Sequence, residues 1–150
     1  MTTIAYKNGI VAYDSRVTVN NIIFDNDFDK KIESDGAVFF LSGTVADYKS
    51  FINVYLGKED KNENIDVEAI VFQGGILYRS SVYEKGVCWK SPLRMEHSYA
   101  IGSGEKFALA FMDAGYNAED AVIATMNRDC WTGGRVRTFV LPKIDANTIT

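Results

Sequence analysis

Apolar and polar residues alternate through TIAYK (3–7) and IVAYDS (10–15), which flank Asn8-Gly9. A period of two marks half-buried strands, and Asn-Gly suits a tight turn that needs positive φ, so the chain is predicted to open with a β-hairpin. NIIFDNDFDKKIES (21–34) continues as an extended stretch. Asp35-Gly36 reverses it into AVFFLSG (37–43), an apolar run of the kind a fully buried strand carries. After Ser42-Gly43-Thr44 the period changes. Val45, Tyr48, Phe51, Ile52 and Tyr55 recur at helical spacing and predict a helix over VADYKSFINVYL (45–56), capped by Thr44 or Ser42.

GKEDKNENID (57–66) is a charged linker. Strands are then expected at EAIVFQ (68–73) and ILYRSSVYE (76–84) around Gly74-Gly75, at VCWKS (87–91) after Lys85-Gly86, and at Tyr99-Ala100-Ile101. Two helices follow. EKFALAFMDAG (105–115) shows apolar Phe107, Leu109, Ala110 and Phe111 and stops at Gly115. AEDAVIATMNRDC (118–130) has Asn117 as its cap and a stripe of Ala121, Val122, Thr125 and Met126. RVRTFVL (135–141) is a last strand before Pro142 and a loose tail. Hairpin-joined strands with grouped helices predict an antiparallel α+β fold in one domain, 1–150, with 141–150 as its tail.

Composition narrows the function. A net charge of -4 argues against a nucleic-acid surface, and no apolar run is long enough to span a bilayer. Cys88 and Cys130 make no metal-ligand spacing and read as small buried residues of a reducing, cytoplasmic protein. Asp25-Asn26-Asp27 begins like a calcium loop, but Lys30 and Gly36 occupy the positions of its turn glycine and closing glutamate. Gly102-Ser103-Gly104 lacks the third glycine of a dinucleotide turn, and the lone His97 has no nucleophile to pair with.

One ordered set of polar residues remains: Thr2, Asp14 in AYDSRVT, Lys31 in DKKIES, Gly43 in LSGTVAD, Ser103 in AIGSGEKFA, and Asp129 with Thr132 in RDCWTGG. In this set the sequence resembles the proteasome-type N-terminal nucleophile hydrolases, the bacterial HslV-type peptidases above all, and the short proteasome-like proteins of bacteriophages. The resemblance runs from Thr2 to Val140. It implies a four-layer αββα sandwich of two antiparallel sheets. One helix layer is reduced to a single helix, because only one fits between S-G-T-x-A-D and the next strand. Removal of Met1 would free the Thr2 amine to serve as base for its own hydroxyl, a threonine peptidase chemistry that passes through an acyl-enzyme. The resemblance assigns Lys31 as the fixed cation beside that hydroxyl and Asp14 as its anchor. Gly43 becomes the backbone donor to the oxyanion, and Ser103, Asp129 and Thr132 orient the new terminus.

The same resemblance gives Thr18 a role in binding an extended peptide. It draws the side-chain pocket from Val17, Asp29, Glu33, Leu41 and Val45, whose carboxylates favour a basic residue before the cut. No metal or organic cofactor is implied. The expected partners are a peptide or unfolded-protein substrate and further copies of the chain, in a ring if the family pattern holds. The lost helix argues against an ATP-driven unfoldase. The alternative is a structural or binding protein that keeps the fold and does no chemistry.

Overall fold

The computed structural model describes residues 2–60, 64–82 and 86–143. Met1, part of the charged linker, the stretch 83–85 with its expected strand end and turn, and the tail from 144 lie outside the described residues. The chain opens with β1 (Thr3–Lys7) and β2 (Ile10–Tyr13), paired so that Ala5 faces Ala12 across a turn where Asn8 and Gly9 take φ of 52° and 79°. The expected extended stretch divides. β3 (Val17–Val19) and β4 (Ile22–Asp25) form a separate hairpin, and β5 (Lys31–Ser34) pairs instead with β6 (Ala37–Gly43).

A 3-10 turn (Val45–Asp47) leads into α1 (Tyr48–Tyr55), then β7 (Val67–Gln73), β8 (Ile76–Val82), β9 (Cys88–Leu93) and β10 (Tyr99–Gly102). α2 (Glu105–Asp113), α3 (Ala118–Thr125) and β11 (Arg137–Val140) complete the order. The strands make a four-stranded sheet, β10-β1-β2-β11, and a five-stranded sheet, β5-β6-β7-β8-β9, with every pairing antiparallel.

Strand alternation decides which residues meet. Ile4, Tyr6, Val11 and Tyr13 of the first sheet pack against Phe40, Ile70, Phe72 and Leu77 of the second. The intervening positions of the first sheet are small, Ala5, Ala12 and Ala100, and this lets Ala108 and Met112 of α2 and Ala121 and Val122 of α3 approach closely. On the second sheet Phe39, Leu41, Ala69 and Val71 carry Tyr48, Phe51, Ile52 and Tyr55 of α1. The ring of Phe39 meets those of Phe51 and Tyr55 edge-on at 6.5 and 5.1 Å. Among the described residues no helix is long and apolar enough to cross a membrane.

Three local expectations change. α1 has no side-chain cap from Thr44, whose hydroxyl donates instead to Asp66 Oδ2 at 2.9 Å. α2 turns Ala108 and Met112 inward, packs Leu109 and Phe111 partly buried beside them, and leaves Phe107 exposed. α3 ends at Thr125, five residues before the sequence pattern does, so that Asp129 sits in a turn. Asn117 does cap α3, accepting from Asp120 N–H at 2.8 Å.

Phe39→Ala is expected to cost about 3–5 kcal/mol in urea unfolding, the range for opening a cavity in a packed aromatic core. Phe24→Ala, at a side chain 76% exposed, is expected to leave the midpoint nearly unchanged. Equal effects of the two would place the core elsewhere.

Candidate active site

The β1–β2 hairpin register sets the first two members of the site. With Ile4 opposite Tyr13, the next pair outward is Thr3 and Asp14, and Asp14 N–H donates to Thr3 C=O at 3.3 Å. The Asp14 carboxylate turns back over the start of β1. Its Oδ1 accepts from Thr3 N–H at 3.1 Å, and its Oδ2 accepts from Gly133 N–H at 3.0 Å. Fully buried, it is held by backbone donors on two sides.

The cation that completes this arrangement is Lys30, not Lys31. Lys30 Nζ donates to Thr2 Oγ1 at 2.7 Å and lies 2.9 Å from Asp14 Oδ1, and all three side chains are buried. Lys31 instead reaches Glu33 at 3.6 Å and lies over the Phe139 ring, 4.7 Å from its centroid. Successive residues of an extended chain face opposite sides, so a shift of one position moves the ammonium away from Thr2. Burial pushes the Lys30 pKa below the ordinary lysine range, the Asp14 charge and hydrogen bond push it back up, and the nearby Arg16 charge lowers it further. The ammonium therefore gives up a proton more readily than a solvated lysine.

Gly43 closes the second sheet over the same point. It takes φ of +123°, and a β-carbon there would run into the Asp66 carbonyl, so only glycine fits. Leu41 N–H donates to Lys30 C=O at 3.0 Å, while Thr44 N–H donates to Asp66 C=O on the other side at 2.8 Å. Strand alternation puts Gly43 N–H on the Lys30 side, past the end of β5. Thr2, Lys30, Ser42, Gly43 and Gly102 line one open cleft of about 720 Å³.

Behind Thr2 lies a second polar group. Ser103 follows β10, and Gly102 pairs with Thr3, so the Ser103 hydroxyl lies 3.4 Å from the Thr2 carbonyl oxygen and donates to Asp129 Oδ2 at 2.6 Å. Thr132 Oγ1 donates to the same oxygen at 2.6 Å, and Trp131 N–H to Oδ1 at 3.2 Å. Thr2, Asp14, Gly43, Ser103, Asp129 and Thr132 thus gather where β1, β2, β6, β10 and the turn after α3 converge. No cluster of His, Cys, Asp or Glu able to hold a metal occurs among the described residues.

Comparison with solved structures places this architecture. A eukaryotic HslV from Trypanosoma brucei matches with a TM-score of 0.70 at 20% identity, over 95% of this chain and 99% of its own. The chain has an HslV-like, proteasome-type fold. A Thiobacillus denitrificans protein, BPH, matches with a TM-score of 0.64 at 17% identity over 95% of this chain and 99% of its own. Its complex with epoxomicin gives 0.63 at 16% identity, over 94% and 99%. No protein-family model matches the sequence, and no curated protein does.

Within this proteasome-type fold the expected substrate positions separate. Val17, Thr18 and Val45 line the cleft. Asp29, Glu33 and Leu41 do not: Asp29 accepts from Tyr13 OH at 2.9 Å and Lys31 N–H at 3.0 Å, Glu33 is exposed, and Leu41 is buried under α1. The two carboxylates expected to select a basic residue are off the cleft wall, and that expectation is withdrawn. The signal that separates the lysines was present in the sequence. Phe28, Lys30 and Ile32 share one parity, and both apolar members pack into the α1 cluster. Arg16 and Ser42, not among the expected site residues, also line the cleft.

Lys30→Met leaves the buried Asp14 without its partner and is expected to cost about 3–5 kcal/mol of stability. Lys31→Met is expected to cost under about 1 kcal/mol, as partly exposed pairs do. Urea unfolding distinguishes them, and a larger loss at Lys31 would reverse the assignment.

Proposed function

We propose that this chain is a threonine peptidase that acts through Thr2 after Met1 is removed, in a four-layer αββα sandwich with α1 alone in one helix layer. The observation that carries this reading is the buried contact of Lys30 Nζ with Thr2 Oγ1 at 2.7 Å, anchored by Asp14 at 2.9 Å. An isolated structural threonine has no need of a buried ammonium, whereas a nucleophilic hydroxyl does. Retention of the fold alone is also expected of a non-catalytic relative, and likenesses of 16–20% identity speak to fold.

The reaction follows from the atoms present. The freed Thr2 amine, with an ordinary pKa near ~8, takes the Oγ1 proton as that oxygen attacks the scissile carbonyl. Lys30 offsets the charge that develops on Oγ1, and Gly43 N–H faces the oxyanion. As the tetrahedral centre collapses, the C–N bond breaks and the leaving amine takes the proton, leaving an ester on Oγ1. Water gives a proton to the Thr2 amine and attacks the ester. The second fragment leaves as a carboxylic acid, and Oγ1 regains its proton. Ser103 and Asp129 flank the terminus and orient the amine between the two halves.

The cleft beside Thr2 is lined by Val17, Val45, Ala46 and Tyr48 as well as by Asp66, Glu68 and Glu105, and the first group is taken as the seat of an apolar side chain before the cut. Self-association belongs to the same proposal, because the β3–β4 hairpin leaves Ile22 and Phe24 at 69% and 76% exposure.

Intact mass before and after treatment with epoxomicin tests the reading. The expected result is loss of Met1 and one adduct, with Thr2→Ala taking none and remaining folded. A retained Met1 with no adduct would favour the binding-protein reading. On a fluorogenic peptide panel, cleavage after leucine or phenylalanine is expected to exceed cleavage after arginine or lysine by about tenfold, the scale of one to two buried methylenes. A preference for basic residues would contradict the apolar wall.

A further inference from the structure

The geometry points to Thr3 as a positioning residue of the same centre, an inference that rests on the peptidase reading above. Thr3 is fully buried, and its Oγ1 lies 2.7 Å from Thr132 Oγ1. Each hydroxyl has one proton, and the direction of each can be worked out. Thr132 spends its proton on Asp129 Oδ2 at 2.6 Å, so across the Thr3–Thr132 contact Thr3 is the donor. Ser103 spends its own on the same oxygen at 2.6 Å. Three hydroxyl protons therefore run toward Asp129, two by direct donation and the third, from Thr3, through Thr132.

The neighbouring glycine supports this. Gly104 precedes α2 with φ of -95° and ψ of 8°, a conformation open to any residue and a position where serine, threonine or asparagine would normally cap the helix. A β-carbon there would collide with Thr3 Oγ1 and with Thr125 Cγ2, and would lie 3.2 Å from Asp129 Oδ2. The missing side chain is thus room for the Thr3 hydroxyl beside Asp129.

The consequence is a division of labour between adjacent threonines. Thr2 presents its hydroxyl to Lys30, and Thr3 turns the other way. There it holds the Thr132 proton on Asp129, the carboxylate that also takes the Ser103 hydroxyl, which lies 3.4 Å from the Thr2 carbonyl oxygen. Without the Thr3 hydroxyl, Thr132 Oγ1 loses the donor that fixes its position, and Asp129 is held less firmly beside Ser103 and the start of β1, while the peptide-binding cleft is untouched.

The test compares Thr3→Val, which keeps shape and removes the hydroxyl, with Thr3→Ser, which keeps the hydroxyl. Both are assayed as the processed full chain for kcat and KM across pH, with epoxomicin adduct formation and thermal melting alongside. Thr3→Val is expected to lower kcat roughly tenfold with KM within about twofold and a displaced acidic limb, the signature of a misplaced reacting group. Thr3→Ser is expected to stay within about threefold of the parent. The inference is overturned if Thr3→Val keeps the parental kcat and pH profile, if Thr3→Ser falls as far, or if KM alone changes. A Thr3→Val chain that unfolds beside a folded Thr3→Ser chain would assign the hydroxyl to stability and also overturn it. A parent chain that takes no adduct defeats the peptidase reading itself, whereas a labelled parent equalled by Thr3→Val defeats only the role of Thr3.

Discussion

The structure depends on burying one ammonium. Lys30 Nζ has left water to lie between the Asp14 carboxylate and Thr2 Oγ1. Desolvating each ion of such a pair costs several kcal/mol, and the pair recovers this only when the geometry is good and the remaining lone pairs are satisfied. Asp14 meets that condition with N–H donors from Thr3 and Gly133 as well as the ammonium. The elements around it can be understood as what holds that geometry. The β1–β2 register places Asp14, the strand pairing of β5 with β6 places Lys30, and the turn after α3 supplies Gly133.

From that constraint the rest of the centre follows outward. A cation fixed beside a hydroxyl stabilises negative charge on its oxygen but provides no acceptor for its proton, which must come from elsewhere. Thr2 carries a backbone nitrogen of its own, and the Ser103 hydroxyl, backed by Asp129 and Thr132, lies 3.4 Å from the Thr2 carbonyl oxygen. Two separate hydrogen-bond systems thus meet on one residue, one ordering its side chain and the other its backbone. Gly43 completes the arrangement at the lip of the cleft, where its positive φ and the Asp66 carbonyl leave no room for a side chain.

Much of this was legible in the sequence because the elements agree with their local signals. Asn8-Gly9 and the alternation around it place the first hairpin, and the helical spacing of Tyr48, Phe51, Ile52 and Tyr55 fixes the inward face of α1. An anion just past the C-terminus of a helix opposes the helix dipole, so Asp129 needs partners of its own. The structure gives it two hydroxyl donors. The lysine was misread because Lys30 and Lys31 are chemically identical and only the side they face distinguishes them. The inward face of α2 differs for another reason: apolar content alone does not separate Phe107, which is exposed, from Phe111, which packs against an alanine-lined surface whose strands lie far off in sequence. The β3–β4 hairpin was hidden because its exposed apolar side chains read as part of a longer strand.

The most direct measurement is a crystal structure of the protein after treatment with epoxomicin. The account predicts density joining the inhibitor to Thr2, with Met1 gone, Lys30 Nζ within hydrogen-bond distance of Thr2 Oγ1 and Asp14 behind it. Inhibitor on another residue, Thr2 still in peptide linkage to Met1, or Lys31 in the place of Lys30 would contradict it.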